Sequence, residues 1–392
     1  MAATGAILAG IRVLELGQVL AGPFAGAIFA DLGAEVLKVE RTDGGDDGRR
    51  MGVPFHNGDS INFQVFNRGK SSIALDLKSE AGLVDLHRLA ATADILIHNL
   101  RPGAADALGI GADAMCARHE RLIYCEMSAF GHRGPERLRP GYEPLLQAYS
   151  GLSSTNGGPD DPPMRMGASL CDQGTGMWAV IGALALLQRR QHTGRGGVIN
   201  VSLLETALSW TGAKIDALTN QGQKPNRHRS GHPDFVPYEA FDAADGPFLI
   251  CVGNDRLFAK LCAVLGQPGW TTDPRWVDNR ARLEHRQSLV DVMHAVLATR
   301  TRAIWLEVLE SAGVPCAPIN SLEQALSEPQ VEALGLIQRV PGEDFTLTGL
   351  PISFDGVRPT IAGPAPRLGG GNAAALGHPS EGNAAALGDP GD

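Results

Sequence analysis

Aromatic residues make up only 5% of this 392-residue chain, and no apolar run reaches the ~20 residues that crossing a bilayer requires. The apolar candidates, Leu16 to Ala30 and Gly174 to Gln188, are 15 residues each. The opening MAATGAILAG has no basic n-region, so no secretory signal is expected. Six cysteines (Cys116, Cys125, Cys171, Cys251, Cys262 and Cys316) form no CxxC pair and no metal-ligand spacing. They stand singly in apolar surroundings, as the reduced thiols of a cytoplasmic protein do. Cations are in deficit as well. A net charge of −9 repels polyphosphate, so neither nucleic acid nor a membrane is an expected partner. A small anion held in a local basic site remains compatible with that balance.

Several catalytic signatures are missing too. The glycines of GQVLAGPFAG stand at 17, 22 and 26, which is not GxGxxG. Gln64 occupies the place of the first P-loop glycine before Gly69-Lys70-Ser71. HExxH is absent, and His228 and His232 are flanked by Pro225 and Pro233, so no metal is expected. The GxSxG nucleophile elbow is also missing.

What remains is a chain with 43% hydrophobic and 20% charged residues, 49 glycines and 25 prolines, suited to a turn-rich α/β protein. Strands are expected at Ile11 to Leu16, Glu35 to Val39, Ser72 to Leu75, Asp94 to His98 and Leu122 to Cys125. Helical runs separate them, up to Leu32, over Ser79 to Ala91 and over Ala112 to His119. Such alternation indicates βαβ units and a mostly parallel, Rossmann-like sheet. Gly151 to Pro163 reads as a long turn-forming loop, and Gln173 to Arg190 as one helix, apolar on nearly all sides and therefore buried. The polar stretch Asn220 to Asp234 is the best boundary. We expect a large discontinuous domain, 1–220 plus 330–392, with a smaller α/β domain inserted at 221–329. In the latter a strand is expected at Phe248 to Val252 and helices at Leu257 to Leu265, Arg280 to Thr299 and Arg302 to Ala312. The heptapeptide GNAAALG occurs twice, at Gly371 to Gly377 and Gly382 to Gly388, and reads as a loosely packed end.

Asp172 is the last polar residue before the long helix. The plain reading is an N-cap, since aspartate satisfies an orphan N–H of a first turn. The chemical reading uses the same place, because a carboxylate held ionised by the helix dipole is a ready nucleophile. Gly174 and Gly176 would leave room for a bulky substrate, with their amides as oxyanion donors.

Seven ordered segments then make the chain resemble the class III CoA-transferase (CaiB/BaiF) family, which includes formyl-CoA transferase and α-methylacyl-CoA racemase. They are GIRVLELGQVLAGPFAGAIFADLGAEVLKVER, NRGKSSIALDLK, NLRPGA, GYEPLLQAYSGL, CDQGTGMWAVIGALALLQRRQHTGRGGVINVSLLE, VPYEAFDAADG and AGVPCAPI. The resemblance implies that Asp172 is the nucleophile, forming an acyl–aspartyl anhydride and then an aspartyl-CoA thioester, with Glu143 assisting. It implies a CoA site of Leu20, Ala21, Arg41, Leu75, Lys78, Asn99, Leu100 and Arg101, with Arg41 on a phosphate and Leu75 and Lys78 flanking the adenine. It further implies CoA and acyl-CoA as substrate rather than a tightly bound cofactor, a small carboxylic acid as second substrate, and an interlocked homodimer. Ala107 replaces a phosphate-contacting arginine of formyl-CoA transferase, Leu20 replaces a glutamine, and no four-glycine lid precedes Val236, which argues against oxalate or formate as acyl partner. Racemases of the family carry a histidine about thirty residues before the aspartate. Tyr142 stands here, a poor base at neutral pH. Racemase and non-catalytic CoA-binding protein therefore rank as alternatives behind the transferase.

Overall fold

Runs rich in Val, Ile and Leu order six parallel strands: β1 (Arg12–Glu15), β2 (Glu35–Glu40), β3 (Ser71–Ala74), β4 (Ile95–His98), β5 (Ile123–Ser128) and β6 (Gly197–Ser202). Their order is β3-β2-β1-β4-β5-β6, all parallel, with the direction of winding reversing between β1 and β4. The computed structural model that carries this sheet describes residues 6–376. The second GNAAALG copy lies outside them.

Both faces of the sheet are covered, and the period of two along each strand sorts residues between them. Val13, Ile95, Ile97, Ile123 and Cys125 join one core with Ala25, Phe29, Ala179 and Ala183. Leu14, Leu96, Leu122 and Tyr124 join the other with Val39, Leu86 and Met115. Helices α1 (Ala21–Asp31), α2 (Glu143–Tyr149), α3 (Leu170–Thr193) and α4 (Leu203–Trp210) surround the position of Asp172. The strand β6 is absent from the expected set. It reads GVINVS and alternates between half-buried and exposed at the sheet's edge, so its apolar run is short.

The chain forms two compact units, Met1–Leu152, Arg165–Ile215 and Glu332–Asp392 in the first, Ser153–Met164 and Asp216–Val331 in the second. The second unit is built on an antiparallel sheet of β7 (Tyr238–Ala243), β8 (Gly246–Cys251) and β9 (Cys316–Pro318), order β9-β8-β7. Its core includes Phe241, Phe248, Ile250, Leu289, Met293 and Trp305. The helix expected over Arg280 to Thr299 is two, Asn279–Glu284 and Arg286–Leu297, separated at His285.

Two expectations fail in the first unit. Helix α3 is long enough, at 24 residues, and apolar enough to span a bilayer by length and composition alone, yet it is not buried all round. Met177, Trp178, Ile181 and Leu184 form an exposed stripe at helical spacing, Ile181 reaching 51% exposure. The described part of the first GNAAALG copy, residues 371–376, is also not loose. Asn372 is buried, its Oδ1 accepting from the Ala74 N–H at 3.0 Å, while Leu376 enters the core beside Ile73 and Leu86.

Candidate active site

Asp172 does not cap its helix. Ser169 stands at the N-cap of α3 without a side-chain cap hydrogen bond, and Asp172 is the third helical residue. The cap comes from 29 residues earlier. The Glu143 carboxylate accepts from Cys171 N at 3.1 Å through Oε1 and from Asp172 N at 2.6 Å through Oε2. Glu143 is buried, and Gln147, one turn later on α2, donates to its Oε1 at 2.7 Å. Gln147 in turn accepts from Met166 N at 2.8 Å, tying down the chain that enters α3. An acidic side chain at a helix start is electrostatically suited to the site, and here it belongs to a neighbouring helix.

This cap alters the charge state expected for Asp172. Burial, and then repulsion from Glu143, push its carboxyl up from 3.8 to about 7, rather than the dipole simply holding it ionised. Near neutral pH it therefore titrates, as a nucleophile or base tuned to its working range does. Burial and Glu143 also raise the neighbouring Cys171 thiol, keeping it protonated.

The two glycines after Asp172 serve packing, not an oxyanion. A Cβ at Gly174 would meet Thr206 and Trp210 of α4 at 2.7 and 3.0 Å, and one at Gly176 would meet the Ala21 carbonyl of α1 at 2.9 Å. Both lie past the first turn of α3, where N–H groups bond back along the helix. The first-turn amides are spent as well: Leu170 N donates to Ala168 O, Gln173 N to Ser169 O, and the two between to Glu143. What Gly176 does provide is contact. It sits one turn beyond Asp172, so the start of α1 lies about 6 Å along the helix axis from the aspartate position.

That start of α1 closes the turn after β1. Gly17 and Gly22 approach so closely that a Cβ on either would fall 2.9 Å from the other's Cα. Leu20 caps α1 with backbone only, and among the described residues the N–H groups of Ala21 and Gly22 have no partner. A helix N-terminus with free amides at a topological switch point suits an anionic ligand.

The other residues expected at the CoA site all lie at the carboxyl ends of the strands, though with different surfaces on offer. Arg41, after β2, pairs with Asp47 at 2.7 Å and donates to Gly45 O at 3.0 Å. Leu75, after β3, is buried in the core with Val39 and Ile73, whereas Lys78 is exposed. Asn99, after β4, commits its side chain to Gln18, accepting from the N–H at 2.7 Å and donating to the carbonyl at 2.8 Å. Leu100 is half-buried and its N–H faces His98 Nδ1 at 3.4 Å, while Arg101 is exposed. Burial pushes that His98 imidazole down to about 4, so it is neutral. Tyr142 is exposed and begins the helix that carries Glu143.

Sequence reasoning missed Gln147 and a buried ionic group beneath the β1 turn. Lys38, in the middle of β2, lies 2.9 Å from Glu15 and 2.8 Å from Asp46, and Lys70 lies 2.6 Å from the other Glu15 oxygen. A charged residue alternating with valines in a doubly covered strand was the available signal.

A family description, CoA-transferase family III, matches residues 8–372. The chain is 37% identical over 348 residues to the acetyl-CoA:oxalate CoA-transferase of Acetobacter aceti, covering 88% of this chain and 89% of that one. It is 35% identical over 378 residues to the succinate–glutarate CoA-transferase of Agrobacterium fabrum, covering 94% of each. A crystallised CaiB/BaiF family protein of Brucella suis superposes with a TM-score of 0.84 at 34% identity, over 93% of this chain and 97% of that one. Sequence, fold and motif order agree over nearly the whole length, and the chain belongs to CoA-transferase family III.

Proposed function

We propose that this enzyme moves CoA from an acyl-CoA donor to a carboxylic acid acceptor by covalent catalysis at Asp172. The observation that carries this reading is the seating of Gly176, one turn beyond Asp172, on the Ala21 carbonyl. It joins the aspartate to the turn at the switch point, where a nucleotide ligand is expected.

The order of the sheet supports the same reading. Lys78 and Leu75 follow β3, Arg41 follows β2, Leu20 and Ala21 follow β1, and Asn99, Leu100 and Arg101 follow β4. With strands ~4.8 Å apart, these positions form a track along one edge, from the adenine end to the thioester end at Asp172. Ala21 and Gly22 amides, Lys78 and Arg101 supply the donors and charge that a CoA phosphate needs on an acidic protein.

In the proposed reaction the ionised Asp172 attacks the thioester carbonyl, the C–S bond breaks, and CoA thiolate leaves an acyl–aspartyl anhydride. The thiolate attacks the aspartyl carbonyl and displaces the first carboxylate, giving an aspartyl-CoA thioester. The acceptor carboxylate attacks that thioester, and the released thiolate then takes the new acyl group, returning Asp172 as carboxylate. One carboxylate enters and one leaves, so no net proton moves. Glu143 fixes the helix start and so aims Asp172.

The acceptor we favour is a short dicarboxylic acid such as succinate or glutarate. Named relatives act on such acids, and the loop after β5 brings Arg133 and Arg137, unpaired among the described residues, to the same edge. We place the enzyme in the cytoplasm, as an interlocked homodimer whose second copy covers the exposed stripe of α3. Incubation with succinyl-CoA followed by hydroxylamine tests the chemistry: mass spectrometry should find a hydroxamate on the Asp172 peptide only. Full turnover by Asp172→Ala would refute the mechanism.

A further inference from the structure

The turn between β1 and α1 contains a conformational outlier. Val19 has φ +64°, the left-handed region, which a β-branched residue adopts only under strain. Such a conformation persists only where its surroundings over-determine it. Here side chains do so at three consecutive residues. Lys38 Nζ donates to Gly17 O at 2.8 Å, Asn99 takes both backbone groups of Gln18, and Asp46 Oδ1 accepts from Val19 N at 2.9 Å. The same Asp46 oxygen accepts from Gly48 N at 2.8 Å, which fixes the aspartate itself.

Behind the turn stands the buried group of two cations and two anions. Asp46 Oδ2 faces Lys38, Lys38 faces Glu15, and Glu15 faces Lys70, which donates to Pro23 O of α1 at 2.8 Å. All four side chains are at most 1% exposed. Gly26 leaves the room, since a Cβ there would run into the Glu15 carboxylate. A buried ionic group of this kind is weak evidence for stability, because apolar residues of the same volume often do as well. Its donors and acceptors are spent instead on the backbone of residues 17, 19 and 23, which frame the free amides of Ala21 and Gly22.

We propose that Asp46 is a positioning residue for acyl-CoA binding: anchored by Lys38, it holds Val19 left-handed and so shapes the turn that receives the nucleotide. This rests on the reading that CoA occupies the β1 turn. Asp46→Ala should raise the Kd for CoA, measured calorimetrically, and the KM for succinyl-CoA by tenfold or more. Hydroxylamine trapping at Asp172 with saturating succinyl-CoA should change less than threefold. Val19→Gly added to Asp46→Ala should recover at least fivefold of the loss, because glycine takes φ +64° without a clamp. Should Asp46→Ala not fold, Val19→Pro makes the same test, since proline forbids that φ and has no N–H for Asp46; it should weaken CoA at least tenfold.

Leu20→Glu separates the two ideas, placing a carboxylate in the turn. If Leu20→Glu binds CoA as the wild type does, CoA is not in this turn and the reading itself fails. If Leu20→Glu weakens CoA while folded Asp46→Ala and Val19→Pro bind within twofold of wild type, the positioning role alone is overturned.

Discussion

Replacing Asp172 by asparagine should stabilise the protein while abolishing turnover. The carboxyl is raised from 3.8 to about 7 by burial and by Glu143, so the folded state binds its proton more tightly than the unfolded chain does. Stability from this group is therefore fully present below pH 4 and is lost as pH rises from about 4 to about 7. At 1.36 kcal/mol per unit the full shift corresponds to about 4 kcal/mol, and the residue's partial exposure brings the expected gain nearer 2 kcal/mol. For a cooperative unit of roughly 250 residues that is a Tm rise of ~4–8 °C at pH 8. Differential scanning calorimetry of both proteins from pH 4 to pH 8 measures it. The Tm difference should grow with pH through that range and level off above pH 7. An asparagine variant less stable than the wild type at pH 8, or a difference independent of pH, would show that Asp172 is not strained by its charge.

Glu143→Gln removes the repulsion but also one acceptor, leaving Cys171 N or Asp172 N facing an amide group. The acidic limb of kcat/KM should move to lower pH, while stability falls by about 1–3 kcal/mol; a limb that stays in place would mean Asp172 does not govern it. Ile181→Glu puts a charge into the exposed stripe of α3, and on the proposed dimer analytical ultracentrifugation should show the wild type sedimenting as a dimer and the variant as a monomer. An intact dimer would mean that another surface joins the subunits.

The βαβ alternation is legible because each strand of a doubly covered sheet is a short apolar run bounded by glycine or a charged turn. Edge strand β6 is less so, since only alternate residues of GVINVS are half-buried. Strand β7 is hidden too, its YEAFDA carrying acids at two of six positions. The motif order points to Asp172 and Glu143, yet not to the hydrogen bonds by which one caps the helix of the other. A cap supplied 29 residues upstream leaves no local spacing, so the nearest polar residue stands in for it. Apolarity around α3 reads as burial in its own fold, but composition does not show which side of an apolar helix the fold leaves exposed. The Lys38, Glu15, Asp46 and Lys70 group escapes for the opposite reason. Each residue looks like an ordinary charge, and only the sheet brings 15, 38, 46 and 70 together.

The docking of Asn372 has a consequence for the outermost strand of the sheet. Strand β3 has β2 on one side only, and a bare strand flank is a template on which other chains can add. The segment near the C-terminus occupies that flank, Gly371 N donating to Ser72 O at 2.7 Å and Asn372 accepting from Ala74 N. It thus works as a selvedge, finishing the fabric so that it does not fray into aggregates. A truncation ending before Gly371 would expose that margin, so recombinant designs should leave residues 371–376 in place.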